Sequence, residues 1–149
     1  MTQALPRTVL VVEDQSSLRH LICHTLQRKG YRAMGTGRAA RAWEIVKTQR
    51  GAIDLAIVDM VLPGMSGLDL AAWLARDFPA VSILYISGHV NSLAMQCIAQ
   101  RSPNCVLLKP FTPSKLLARV DVMLGESAKK LPENARNSGE RRSRSGTGD

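Results

Sequence analysis

From Thr8 to Val12 the chain is an unbroken run of β-branched residues and leucine, closed in front by Pro6 and behind by Glu13 and Asp14. Apolar residues without polar alternation are what a strand buried on both faces requires. Similar runs recur at Leu55–Val58, Val81–Ile86 and Cys105–Leu108, with a weaker one at Tyr31–Thr36. Between them the period changes to that of helices. Leu18, Leu21, Ile22 and Leu26 form one stripe; Ala39, Ala42, Trp43 and Val46 a second; Leu68, Leu70, Ala71 and Leu74 a third. Leu93, Ala94 and Ile98 make a fourth, and Leu116, Leu117, Val120 and Leu124 a fifth, with Gly125 where a C-cap would stand. Five strands alternating with five helices through short loops predict a doubly wound α/β domain with a five-stranded parallel sheet, because each crossover must carry the chain back to the same edge.

The pattern stops near Gly125. Beyond it only Ala128, Leu131 and Ala135 are apolar, among Ser, Gly, Arg and Glu, which cannot build a core. The expected organisation is one domain over 7–124 and a flexible basic tail over 125–149, with no DNA-binding domain. The 149 residues and 45% hydrophobic content suffice for one packed core. Asp54 and Asp59 interrupt the longest candidate for a membrane span, and the first ten residues lack the layout of a secretory signal, so a cytoplasmic protein without a membrane segment is expected. Cys23, Cys97 and Cys105 are odd in number and widely spaced, which excludes a disulfide framework and a Cys-x-x-Cys zinc site. Twenty basic against twelve acidic residues give a net charge of +8. This excess is spread along the chain, and two each of Trp, Tyr and Phe are too few for a base-stacking platform.

The chemistry gathers at strand ends. In an open parallel sheet, ligands bind beyond the carboxyl ends of the strands where the strand order reverses. The first strand here runs into Glu13 and Asp14, the third into Asp59, the fourth into Ser87-Gly88 and the fifth into Lys109-Pro110. With the strand order 2-1-3-4-5, the first and third strands are neighbours and their carboxylates converge on one crevice. Three such charges repel unless a cation lies between them, and an all-oxygen set suits Mg²⁺ completed by water and phosphate. Lys109 and Ser87 would face a phosphoryl group, and Asp59 is the candidate nucleophile for an aspartyl-phosphate.

These residues carry a resemblance to the response-regulator receiver domains of two-component signalling, over 7–124. Val-Val-Glu-Asp at 11–14 resembles the family's acidic pair, and Val-Asp-Met-Val-Leu-Pro-Gly-Met-Ser-Gly at 58–67 its phosphoacceptor strand and loop. Ile86-Ser87-Gly88 is similar to its hydroxyl-bearing strand end, and Leu108-Lys109-Pro110-Phe111 to its Lys-Pro-Phe signature. The resemblance implies a flavodoxin-like fold and a phosphoryl group passed to Asp59 from a phosphohistidine on a histidine kinase or histidine phosphotransfer protein. It further implies Mg²⁺ held by Glu13, Asp14, Asp59 and the Val61 carbonyl, assistance from Ser87 and Lys109, and a cis bond before Pro110. The only reactions implied are self-catalysed phosphoryl transfer and hydrolysis, so the chain is not expected to be an enzyme. Where the family usually carries an aromatic residue, three positions before the lysine, this chain has Val106, which has no ring to swing. By the same resemblance, Val61 and His89 occupy positions that influence phosphate loss, so His89→Ala is expected to change the dephosphorylation rate.

A stand-alone receiver is therefore expected, phosphorylated on Asp59 and signalling through protein contacts or a phosphorelay to an unknown downstream protein. The alternative is a receiver-like interaction module working without phosphate. Other features read as ordinary. Asp54 reads as a solvated loop carboxylate, His20 and His24 lie on the polar side of the first helix, and the two Trp read as packing. Gly35-Thr-Gly37-Arg-Ala-Ala40 imitates a dinucleotide fingerprint but follows the second strand instead of the first.

Overall fold

The computed structural model describes residues 5–88, 96, 98, 100 and 105–125. The elements are β1 (Thr8–Val12), α1 (Ser16–Arg28), β2 (Arg32–Thr36), α2 (Ala39–Thr48), β3 (Leu55–Asp59), α3 (Gly67–Asp77), β4 (Ser82–Ser87) and β5 (Val106–Leu108). A last helix, α4, covers 113–125. All strand pairs are parallel, in the order β2-β1-β3-β4-β5. Residues 96, 98 and 100 are helical, within the stretch where the fourth helical stripe is predicted; Leu93, Ala94, His89 and the tail beyond Gly125 lie outside the described residues. Gly125 itself is helical, not a cap outside the helix.

Every residue of β1 and β3 is buried, as their uninterrupted apolar runs require. The pleat deals these residues alternately to two cores. Val9, Val11, Leu55 and Ile57 pack with Ile22 and Leu26 of α1 and Leu116 and Val120 of α4. Leu10, Val12, Ala56 and Val58 pack with Ala42 and Val46 of α2 and Leu70 and Leu74 of α3. Trp43 meets Trp73 and Phe78 edge to face between α2 and α3, which is the packing role predicted for the tryptophans. Strand β2 forms the edge, with Arg32 and Gly35 exposed, which is why its apolar signal is weak.

Asp54 corrects an expectation. It is not a freely solvated carboxylate: Oδ2 accepts the backbone N–H of Thr8 at 2.8 Å and Oδ1 accepts from Arg7 at 3.3 Å. It ties the entry of β1 to the entry of β3, at the end of the sheet opposite the acidic crevice.

Candidate functional site

Strand register builds the site. Val12 is level with Val58, so Glu13 leaves β1 at the height of Asp59, the last residue of β3. Asp59 pairs with Ile86 and Ser87 with Leu108, which brings Ser87 and then Lys109 to the same rim. The backbone N–H of Lys109 donates to the Ser87 carbonyl at 2.8 Å, and the Lys109–Pro110 peptide is cis.

Glu13 is fully buried, Asp59 and Ser87 are 4% exposed, and Asp14 is exposed. One carboxylate oxygen from each of Glu13, Asp14 and Asp59 can be chosen so that all lie within 4.8 Å of one another. The Lys109 ammonium sits among the buried pair, donating to Asp59 Oδ2 at 2.9 Å and to both Glu13 oxygens at 3.2 and 3.3 Å. The other Asp59 oxygen, Oδ1, accepts the Val61 N–H at 3.0 Å, so both oxygens of that side chain are held. Val61 itself is 76% exposed, as a residue on the lip of an open crevice would be.

Burial raises the Glu13 carboxyl to about 7, helped by a hydrogen bond and repulsion from Asp59 and opposed by Lys109. Burial also works against ionised Asp59, but hydrogen bonds from Glu13, the Val61 N–H and Lys109 outweigh it and hold Asp59 below the usual range. Burial disfavours the Lys109 ammonium, yet Asp59 and Glu13 raise it above an ordinary lysine. The pair thus divides its labour: Asp59 carries the charge and Glu13 shares a proton. The all-carboxylate donor set with one open, exposed member fits a hard, partly hydrated ion such as Mg²⁺, and a cation held there would favour the ionised form of Glu13.

Of the residues singled out in the sequence, the structure brings Glu13, Asp14, Asp59, Val61, Ser87 and Lys109 to one rim; His89 lies outside the described residues. His20 and His24 are exposed on α1. Two contributors went unrecognised. A Cβ on Gly67 would stand 2.2 Å from the Asp59 carbonyl oxygen, so the start of α3 approaches the end of β3 as only glycine permits. Arg19 donates to the Glu13 carbonyl at 2.8 Å. The first is readable as a glycine opening a helix just beyond the loop over 60–66; the second has no local signal, since it depends on where α1 turns the side chain.

The family model for the response regulator receiver domain matches residues 9–121, and the chain belongs to that family. It is 31% identical over 120 residues to the chemotaxis protein CheY1 of Helicobacter pylori, covering 78% of this chain and 96% of that protein. It is 29% identical over 116 residues to the DNA-binding response regulator MtrA of Mycobacterium tuberculosis, covering 78% of this chain and 50% of that protein. The chain spans only 12% of the sensor kinase CckA of Brucella abortus, to which it is 29% identical over 117 residues. Among solved structures, a CheY-like receiver domain protein from Methanospirillum hungatei superposes with a TM-score of 0.75 at 21% identity, covering 84% of this chain and 98% of that one. The flavodoxin-like fold and the receiver class of two-component signalling are thereby fixed. No helix among the described residues is long and apolar enough to cross a membrane.

Proposed function

We propose that the chain is a stand-alone receiver that accepts a phosphoryl group on Asp59 from a phosphohistidine, in a Mg²⁺-dependent reaction, and signals through protein contacts or a phosphorelay. The observation that carries this is the buried Asp59 carboxylate held on one oxygen by Lys109 and on the other by the Val61 N–H, beside Glu13 and Asp14. An Asp59 oxygen attacks phosphorus as the P–N bond of the phosphohistidine breaks, and the electron pair of that bond stays with the imidazole nitrogen. Lys109, already aimed at Asp59 Oδ2, neutralises charge on the transferred group, and the Ser87 hydroxyl can hydrogen-bond a phosphoryl oxygen. Glu13, Asp14, Asp59 and the Val61 carbonyl would hold Mg²⁺, which supplies further charge neutralisation.

The match spans almost the whole of CheY1, a chemotaxis protein, which supports a receiver whose output runs through protein contacts. A histidine kinase or histidine phosphotransfer protein is the donor in this reading, the cytoplasm is where it operates, and no turnover beyond transfer and hydrolysis on Asp59 is assigned.

Incubation with Mg²⁺ and acetyl phosphate, followed by intact mass measurement, tests it. A mass gain of one phosphoryl group that is absent in Asp59→Asn and abolished by EDTA is expected. An unmodified mass together with no Mg²⁺ binding would instead indicate an interaction module working without phosphate.

A further inference from the structure

The Gly35-x-Gly37 pair spans the end of β2, the edge strand, and both glycines are used for space. A Cβ on Gly35 would stand 3.0 Å from Cys23 Sγ and 3.2 and 3.3 Å from Cγ and Cδ of Arg19, so the space left by this glycine is shared by both side chains. On Gly37 it would stand 2.9 Å from Arg19 Nη1 and 3.4 Å from the Asp14 Cα. Neither glycine has a positive φ, so the need is for room and not for backbone freedom. The Arg19 stem therefore runs from α1 past Gly35, and its head passes Gly37 to reach the Glu13 carbonyl at 2.8 Å. The same residue is tied on its other side, where the Glu13 N–H donates to the Thr36 carbonyl at 3.0 Å.

The Glu13 carbonyl that accepts from Arg19 belongs to the peptide unit joining Glu13 to Asp14. A peptide unit is planar, so fixing its C=O fixes the direction in which the chain leaves Glu13 and the place of the Asp14 Cα. We infer that Arg19, lying in the trough left by Gly35 and Gly37, is a positioning residue that holds the Glu13–Asp14 peptide so that both carboxylates face the metal together. The inference rests on the metal-binding reading above and extends it to a residue that touches neither metal nor phosphate.

The sign of the effect separates this role from simple electrostatics. A guanidinium near three carboxylates repels a divalent cation, so removing its charge alone would tighten metal binding. Loss of positioning weakens it, and outer groups that orient metal ligands typically matter by about 10- to 100-fold in affinity. Gly37→Ala reaches the same point without removing the arginine. The atom it would crowd is the mobile end of a side chain, so the fold can yield there while the guanidinium is pushed off the Glu13 carbonyl.

Mn²⁺ titration of the full chain, followed by electron paramagnetic resonance with Mg²⁺ competition, is the test. Arg19→Met keeps the apolar stem and removes the donor together with its charge; since loss of the charge alone would tighten binding, the expected weakening of about tenfold, with circular dichroism unchanged, reads the lost positioning. Gly37→Ala should weaken binding in the same direction, and the double variant should be no worse than Arg19→Met, because both act through one bond. Unchanged or tighter binding in Arg19→Met overturns the inference, as do losses that add in the double variant. Wild-type protein that takes up no Mn²⁺ would overturn the metal-binding reading itself, whereas wild-type binding with an indifferent Arg19→Met overturns only the role given to Arg19.

Discussion

Glu13 has no access to water, and its neighbours are the Asp59 carboxylate and the Lys109 ammonium. Without a divalent cation it takes up a proton at about pH 7, where a glutamate in the unfolded chain does so at 4.5. Between these values the folded state binds the extra proton, so this stabilisation is fully present below about pH 4.5 and is lost as pH rises through about 7. Asp59 and Lys109, shifted the other way and upward from the lysine range, change nothing across that window. In EDTA, the urea midpoint should fall between about pH 5.5 and about pH 8.5, and Glu13→Gln should reduce the fall, which paired denaturation curves would measure. The candidate site was legible at this scale wherever a residue's meaning came from following a buried run: Glu13, Asp14, Asp59, Ser87 and Lys109 all do. Asp54 was not, because its partner is the Thr8 N–H, 46 positions away, and no local pattern announces a carboxylate that caps a distant strand.

The central strands are legible as elements because burial on both faces leaves an unmistakable apolar run, and β1 coincides with its run residue for residue. Strands β3 and β4 each extend one position beyond their runs, to Asp59 and Ser87, since the ladder persists where the side chains turn to chemistry. Edge strand β2 needed help from elsewhere. Tyr31, just before it, donates its hydroxyl to Asp121 on α4, joining two elements that the sequence leaves unrelated. Burial, then the hydrogen bond and charge of Asp121, push the Tyr31 phenol up to about 12, and burial also raises Tyr85. A spectrophotometric titration should therefore show both tyrosinate steps above the ordinary value of about 10, with that of Tyr31 at about 12. Asp121→Asn should move Tyr31 back toward that value. Tyr31→Phe should lower stability by about 0.5 to 1 kcal/mol, the range of a single hydrogen bond that water can partly replace.

Across the whole molecule, two different cations answer to one acidic cluster. Lys109, brought from β5 to β1 and β3 by register alone, is the counter-ion the chain carries with it. A metal ion would be the other, and the two share the charge of the same three carboxylates. Replacing Lys109 by Met leaves Glu13 and Asp59 buried without their ammonium. Loss of one partner from a fully buried pair costs about 3 to 5 kcal/mol, and a smaller loss is expected because the lysine side chain keeps some contact with water. The same substitution makes the cluster more negative, so Mg²⁺ should bind Lys109→Met more tightly than wild type. Ligand linkage then gives a larger rise in melting temperature on adding the same Mg²⁺ concentration to the variant than to wild type. Phosphorylation by acetyl phosphate should fall in the same variant despite the tighter metal, since the ammonium aimed at Asp59 Oδ2 is gone. Thermal melts with and without Mg²⁺, set beside intact masses, would show the two effects moving in opposite directions. A variant that lost metal affinity and phosphorylation together would mean that Lys109 organises the crevice and does not act as its resident charge.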